Sequence, residues 1–194
     1  MADERSTRDR LLDATVARVA AGGAAAVSIG AVREDVGVSV GAVYHHFPDR
    51  QALLDAAWLR CLASHQADLR SAIERAPDAR SGITGGVTAY LAWHGRHRAE
   101  AVMLREPGPP RERAEAWRER AALNRPFFGS LLAWWSEQAG AGALRPLPPV
   151  LIHALWLGPA RDLCDLWLQG VVPGVPEDHA DEMAAAAWRC VAAD

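Results

Sequence analysis

Residues 28–47, SIGAVREDVGVSVGAVYHHF, hold the side chains whose spacing points to chemistry. That chemistry is recognition rather than bond-making. Ser28 and Ser39 stand at two helix starts, where a hydroxyl and free backbone N–H groups can bond a phosphate. Gly37 lies between them and supplies the positive φ of a tight interhelical turn. Ser39, Val40, Gly41 and Ala42 open the second helix and would face base edges. Gly41 and Ala42 are small enough for close approach, and Val40 or Ala42 can touch a thymine methyl. Tyr44, His45 and Arg50 form a candidate phosphate clamp. Phe47 reads as core, and Tyr44 is divided between core and phosphate. The layout is that of a helix-turn-helix, whose second helix enters the major groove of DNA. His45 and His46 do not make a metal pair, because adjacent residues on a helix face different ways.

The elements that must hold these residues are all helical. Leu11, Leu12, Thr15, Val16 and Val19 recur at helical spacing over residues 6–21, and Gly22-Gly23 stops that helix. Ser28 caps a second helix to about Asp35, Ser39 caps a short third one, and Pro48 ends it. Asp49 caps a long fourth helix with a stripe of Leu53, Leu54, Ala57, Trp58, Cys61 and Leu62. Pro77-Asp78 starts the next, carrying Val87, Tyr90, Leu91 and His94. A short segment around 102–104 stops at Pro107-Gly108-Pro109-Pro110. A helix from Arg111 to Gln138 follows, which Pro126 should bend. Two last helices, about 149–169 and 177–192, flank the loop Gly170–Pro176. No segment alternates as a strand would. The expectation is all-α with about nine helices: a three-helix reader in residues 1–48 and a helical effector-binding and dimerisation domain in residues 49–194.

Composition narrows the classes. Half of the 194 residues are apolar, which disfavours disorder. No apolar run reaches the roughly 18 residues that span a bilayer. The start, MADERSTRDR, lacks the apolar core of a signal peptide. Cys61, Cys164 and Cys190 are widely spaced and fit buried thiols in a reducing cytoplasm. A cytoplasmic location is expected. The net charge is −3, and the first 54 residues carry six Arg against seven carboxylates, a weak footprint for non-specific DNA binding. All 21 basic residues are Arg.

Gly37-Val38-Ser39, then Val43-Tyr44-His45-His46-Phe47, then Asp49-Arg50-Gln51-Ala52-Leu53 resemble the TetR family of transcriptional regulators. The resemblance covers roughly residues 8–60 by motif and the whole chain by length and helix count. A weaker echo, Leu155-Trp156-Leu157-Gly158-Pro159-Ala160 and Trp167-Leu168-Gln169-Gly170, is similar to the penultimate helix of a subset of these regulators. The resemblance implies a homodimer that represses transcription from a pseudo-palindromic operator and is released by a small molecule. Three positions depart from the family's habit. Arg33 stands where a small Ala is usual, and either reaches a phosphate or disturbs the packing of the two helices. Gly30 replaces a polar residue at a cost of about 1 kcal/mol of helix stability. Arg50 replaces Lys and keeps the cation.

The family's central cavity would be surrounded by aromatic-rich helices. Trp58, Tyr90, Trp93, His94, Met103, Trp117, Phe127, Phe128, Trp134, Trp135 and Trp156 are the candidate effector residues, suited to a flat aromatic or lipophilic molecule. Each of them is also an ordinary core residue by type. The resemblance places dimerisation on the last two helices, through Leu155, Leu163, Leu166, Trp167 and Trp188. No metal or cofactor is expected: His94-x-x-His97 has no Cys or carboxylate at ligand spacing. An enzyme is disfavoured by the absence of a nucleophile motif or clustered carboxylates. A scaffold without DNA affinity is the third reading.

Overall fold

The computed structural model describes residues 6–193; Asp3, Glu4 and Arg5, part of the charge count above, lie outside them. Among the described residues there are ten α-helices and no strand beyond an isolated antiparallel bridge between Leu144 and Ala192. The helices are α1 (Thr7–Gly22), α2 (Ile29–Val36), α3 (Val40–His46), α4 (Arg50–Glu74) and α5 (Ala79–Arg96), followed by α6 (Arg98–Arg105), α7 (Ala114–Gly140), α8 (Pro149–Trp156), α9 (Gly158–Leu168) and α10 (Ala180–Val191). The chain forms two compact units, one of Met1–Ala63 with Arg98–Ala122, the other of Ser64–His97 with Leu123–Asp194. No described helix is long and apolar enough to cross a membrane.

Side-chain caps close the helix starts, those read from the sequence at Ser28, Ser39 and Asp49 among them. Ser6 accepts from the Asp9 N–H, Ser28 from Ala31, Ser39 from Ala42 and Asp78 from Ser81. Each satisfies a donor that the first helical turn leaves open. Asp49 does the same for α4 through the Ala52 N–H at 2.6 Å. Phe47 leaves α3 in an extended conformation, as a residue before proline must.

One expected helix divides. Residues 149–169 form α8 and α9 with the break at Leu157, because Pro159 has no N–H for the Leu155 carbonyl and its ring crowds that turn. Ten helices result rather than about nine. Helix α7 begins at Ala114, later than Arg111, and Pro126 lies inside it, withholding the N–H that the Ala122 carbonyl would accept.

In the first unit α1 packs on α2 and α6, and α2 on α3. Leu11, Leu12, Val19, Val32 and Val43 are fully enclosed there. Each such side chain contributes roughly 1.5–3 kcal/mol on leaving water. In the second unit α5 packs on α9 and α10, and α8 on both of these. Gly86 of α5 lies under the Trp156 ring, where a Cβ would overlap the indole. The close approach lets the Trp156 Nε1–H donate to the Ile83 carbonyl at 2.9 Å. Burial pushes the Cys61 and Cys164 thiols up to about 12, whereas Cys190, expected buried, is exposed near the end of α10.

Candidate DNA-reading face and aromatic clusters

The turn between α2 and α3 is closed by Gly37, at φ 72° and ψ 38°. Its N–H reaches the Arg33 carbonyl at 2.9 Å, and Val38 N–H reaches the same oxygen at 3.2 Å. This left-handed cap fixes the angle at which α3 leaves α2. Val32, Val36, Val43 and Phe47 are buried beneath the pair. Helical periodicity then turns the opposite side of α3 to solvent. Val40 is 49% and Tyr44 53% exposed, with Ser39, Gly41 and His45 beside them and Ala42 half-buried. Ser28, at the start of α2, is also exposed. The structure therefore gathers Ser39, Val40, Gly41, Tyr44 and His45 on one outward face. Phe47 belongs to the core and Tyr44 does not.

The cations nearby are largely spent on the fold. Arg10 donates to the Val36 carbonyl at 2.5 Å and so holds the end of α2. Arg18 pairs with Asp35 at 2.5 Å and holds its carboxyl below the usual carboxylate range. Arg33 pairs with Glu34 at 3.0 Å on the exposed side of α2. Arg50 donates to the Val27 carbonyl at 2.7 Å and to the Ala24 carbonyl, within the turn that precedes Ser28. Arg8 lies 5.4 Å over the Phe47 ring. Arg113 bridges Asp49 at 3.3 Å and the buried Asp55 at 3.0 Å. The Ala52 N–H and then Arg113 hold the Asp49 carboxyl below its ordinary value. Sequence reading missed Arg10, Arg18 and Arg113, whose partners are 13 to 64 residues away and leave no local signal.

The candidate effector residues fall into separate groups. Trp58 and Met103, in the first unit, line a pocket of about 310 Å³. Trp117, half-buried, lies under Arg111 and Arg120. In the second unit Tyr90, Phe127, Trp135 and Trp156 belong to one packed core, with Trp134 against its edge. Phe127 and Trp134 also line a cleft of about 60 Å³. Phe128 is 46% exposed. Trp93 and His94 are buried in a cluster of rings around His65, 4.9 Å and 5.6 Å from it. Trp93 Nε1–H donates to the Ser64 hydroxyl, and His94 Nδ1 meets the Tyr90 carbonyl at 2.9 Å. His65 Nε2 is enclosed without a hydrogen-bond partner. Desolvation, then the neighbouring His94, pushes its pKa down to about 3; desolvation lowers His94 as well. Sequence reading missed His65, although it continues the spacing of Trp58, Leu62, Leu69 and Ile73 on α4.

Of the candidate interface residues, Trp167 is buried, with its Nε1–H on the Gly174 carbonyl at 2.9 Å. Leu155, Leu163 and Trp188 are half-buried and Leu166 is 43% exposed. Val150, Leu151 and Val171 are also exposed apolar residues of this region. Among the described residues no group of three His, Cys, Asp or Glu side chains is placed to hold a metal ion.

Residues 11–57 match the family model for bacterial regulatory proteins of the tetR family. No curated protein matches the sequence. Among solved structures, a TetR family transcription regulator from Marinobacter aquaeolei VT8 is similar, at 21% identity over 96% of both chains with a TM-score of 0.77. A regulatory protein of the tetR family from Rhodococcus RHA1 is 24% identical over 98% of this chain and all of its own, with a TM-score of 0.74. The transcriptional regulator FadR from Bacillus subtilis, solved in complex with stearoyl-CoA, is 12% identical over 92% of this chain and 96% of its own, with a TM-score of 0.76. Residues 11–57 thus carry the helix-turn-helix segment of the tetR family of bacterial regulatory proteins, and the chain as a whole has the fold of the TetR-family transcription regulators.

Proposed function

We propose that the protein is a ligand-responsive, homodimeric transcriptional repressor acting in the cytoplasm, with residues 1–48 as reader and 49–194 as effector-binding and dimerisation domain. The observation that carries the reading is the outward face of α3. A helix rooted by buried Val43 and Phe47 presents Ser39, Val40, Gly41 and Tyr44 to solvent, with little bulk between backbone and groove. Val40 and Tyr44 are large and exposed with no internal partner to explain them, which is the signature of a contact surface. Ser28, Tyr44 and His45 supply phosphate contacts, and the residues from Ser39 to Ala42 read base edges.

Two copies are needed to read a pseudo-palindrome, with recognition helices about 34–36 Å apart. The exposed Leu166, with half-buried Leu155, Leu163 and Trp188, supports an isologous interface on the last helices. The effector is a small lipophilic or aromatic molecule, in keeping with the apolar lining offered by Trp and Phe side chains; the similar FadR binds an acyl-CoA. To release DNA it must bind the non-reading conformation more tightly. The protein itself catalyses nothing.

A salt-dependent gel shift on DNA flanking the protein's own gene tests this. Saturable, sequence-selective binding is expected, lost in Tyr44→Ala with the fold intact. Selective binding that persists in Tyr44→Ala refutes the assignment of the face, and none to flanking DNA or a random-site pool refutes the regulator.

A further inference from the structure

The first unit contains a pocket, lined in part by the candidate effector residues Trp58 and Met103, for which the proposed function names neither ligand nor mechanism. The start of α4, the turn after α1 and the loop after α6 enclose about 310 Å³, at the small end of the roughly 300–1,000 Å³ usual for ligand clefts. One wall is the Trp58 indole, fixed by its Nε1–H on the Glu106 carbonyl at 3.1 Å. Gly108 lies against that ring so closely that a Cβ would overlap it, which seats the loop on one face of the indole. Leu54 and Met103 complete an apolar lining.

The polar groups are few and already engaged with one short segment. Arg50 is the one basic side chain lining the pocket, and it donates to the carbonyls of Ala24 and Val27. Glu106 Oε1 accepts the Ala24 N–H at 3.1 Å. Asp55 is occupied by Gln51 at 2.9 Å and Arg113 at 3.0 Å. Two pocket side chains therefore hold the 24–27 turn, and that turn leads directly into Ser28 and the first helix of the reader.

We propose that this pocket binds a planar aromatic carboxylate, of one or two rings, and that binding loosens the reader from within its own unit. The ring lies against Trp58 and Met103. The carboxylate takes Arg50, because a guanidinium bonds an anionic oxygen pair more strongly than two neutral carbonyls. The Ala24 and Val27 carbonyls then lose the Arg50 guanidinium, and the leading end of α2 is held only by the Val27 N–H on the Ala24 carbonyl, Glu106 on the Ala24 N–H and the buried Val27 side chain. The inference rests on the ligand-responsive reading for its consequence, but its site and ligand class stand on the pocket alone.

Calorimetric titration of the full chain, without DNA, with benzoate, 2-naphthoate and indole-3-acetate and with their neutral carboxamides tests the site. At least one acid is expected to bind below about 1 mM, with its amide about tenfold weaker or worse. Arg50→Gln should erase the preference for acid over amide. Equal binding of acid and amide to the unmodified protein, no binding by any member, or a preference that survives Arg50→Gln overturns the proposal. The acid-to-amide comparison needs no variant and so holds if Arg50→Gln fails to fold. A gel shift run separately distinguishes the readings. Acid binding without DNA binding leaves the site and removes the regulator. DNA binding unaffected by a saturating acid that binds the pocket overturns the loosening step.

Discussion

Replacing His65 with Phe should flatten the loss of stability between pH 7 and pH 5. The ring is packed edge-on against Tyr90 and Trp93 at 5.0 and 4.9 Å, and its Nε2 has no partner to share a proton. Its folded pKa is about 3, against 6.5 for an unconstrained histidine. A group that folding holds neutral favours the folded state fully above its unfolded pKa. As pH falls below 6.5 the unfolded chain takes up the proton and the folded chain does not, so stability declines until about pH 3. Two pH units from neutrality thus cost about 2 kcal/mol through His65, at roughly 1.4 kcal/mol per unit below the unfolded pKa. His94 contributes with the same sign, since burial lowers it too. Urea denaturation of both proteins at pH 7 and pH 5 isolates the His65 contribution, because every carboxylate is common to the pair. The phenyl ring also removes an enclosed, unsatisfied nitrogen, so the variant should not be less stable at pH 7. Parallel losses in the two proteins would refute the burial argument.

Three further outcomes follow from packing and capping. Gly86→Ala should cost about 1–3 kcal/mol in thermal unfolding, since a methyl there meets the Trp156 indole; an unchanged Tm would mean that the ring can retreat without loss. Ser39→Ala should lose about 1 kcal/mol through the cap on the Ala42 N–H, and Ser39→Asp should restore that stability while weakening DNA binding in a gel shift. Asp55→Asn should destabilise by about 1–2 kcal/mol, less than a fully enclosed pair because Arg113 is a third exposed; the double change Asp55→Leu with Arg113→Met should recover most of it, as read by denaturant midpoints.

The sequence made the local structure legible wherever the signal was local. Ser28, Ser39, Asp49 and Asp78 cap helices because their own oxygens reach N–H groups three residues on, and Gly37 closes the turn by its own φ. The outward face of α3 follows from the same periodicity, since burying Val43 and Phe47 leaves Val40 and Tyr44 outside. The break at Leu157 is equally local, encoded by Pro159, yet the sequence reading ran one helix through it. Long-range pairing was not legible. Nothing near Arg50 in sequence says that its guanidinium serves Ala24 and Val27. The aromatic residues show the same limit. Their type marks them as able to form either a core or a cavity wall, and only packing separates Trp156, fully covered, from Trp58, which borders open volume.

The engagement of the arginines constrains how such a reader can work. Arg10, Arg18 and Arg50 hold its helices together, and Arg33 faces Glu34, so few of its cations remain to neutralise phosphates. Counterion release, which drives most non-specific DNA affinity, should then be small, as a shallow salt dependence in the gel shift would show. Affinity must then rest on hydrogen bonds and on the fit of Val40, Gly41 and Ala42 to base edges, and these depend on the exact placement of α3. A reader held by geometry rather than charge is sensitive to small displacements of its supports. The turn from Ala24 to Val27 is one such support: its three alanines lie outside the core, and Arg50 and Glu106 hold it beside the buried Val27 side chain. A shift of that turn that leaves Val27 seated costs only a few hydrogen bonds, each worth about 1 kcal/mol, where repacking the valine core beneath α2 and α3 would cost several times as much.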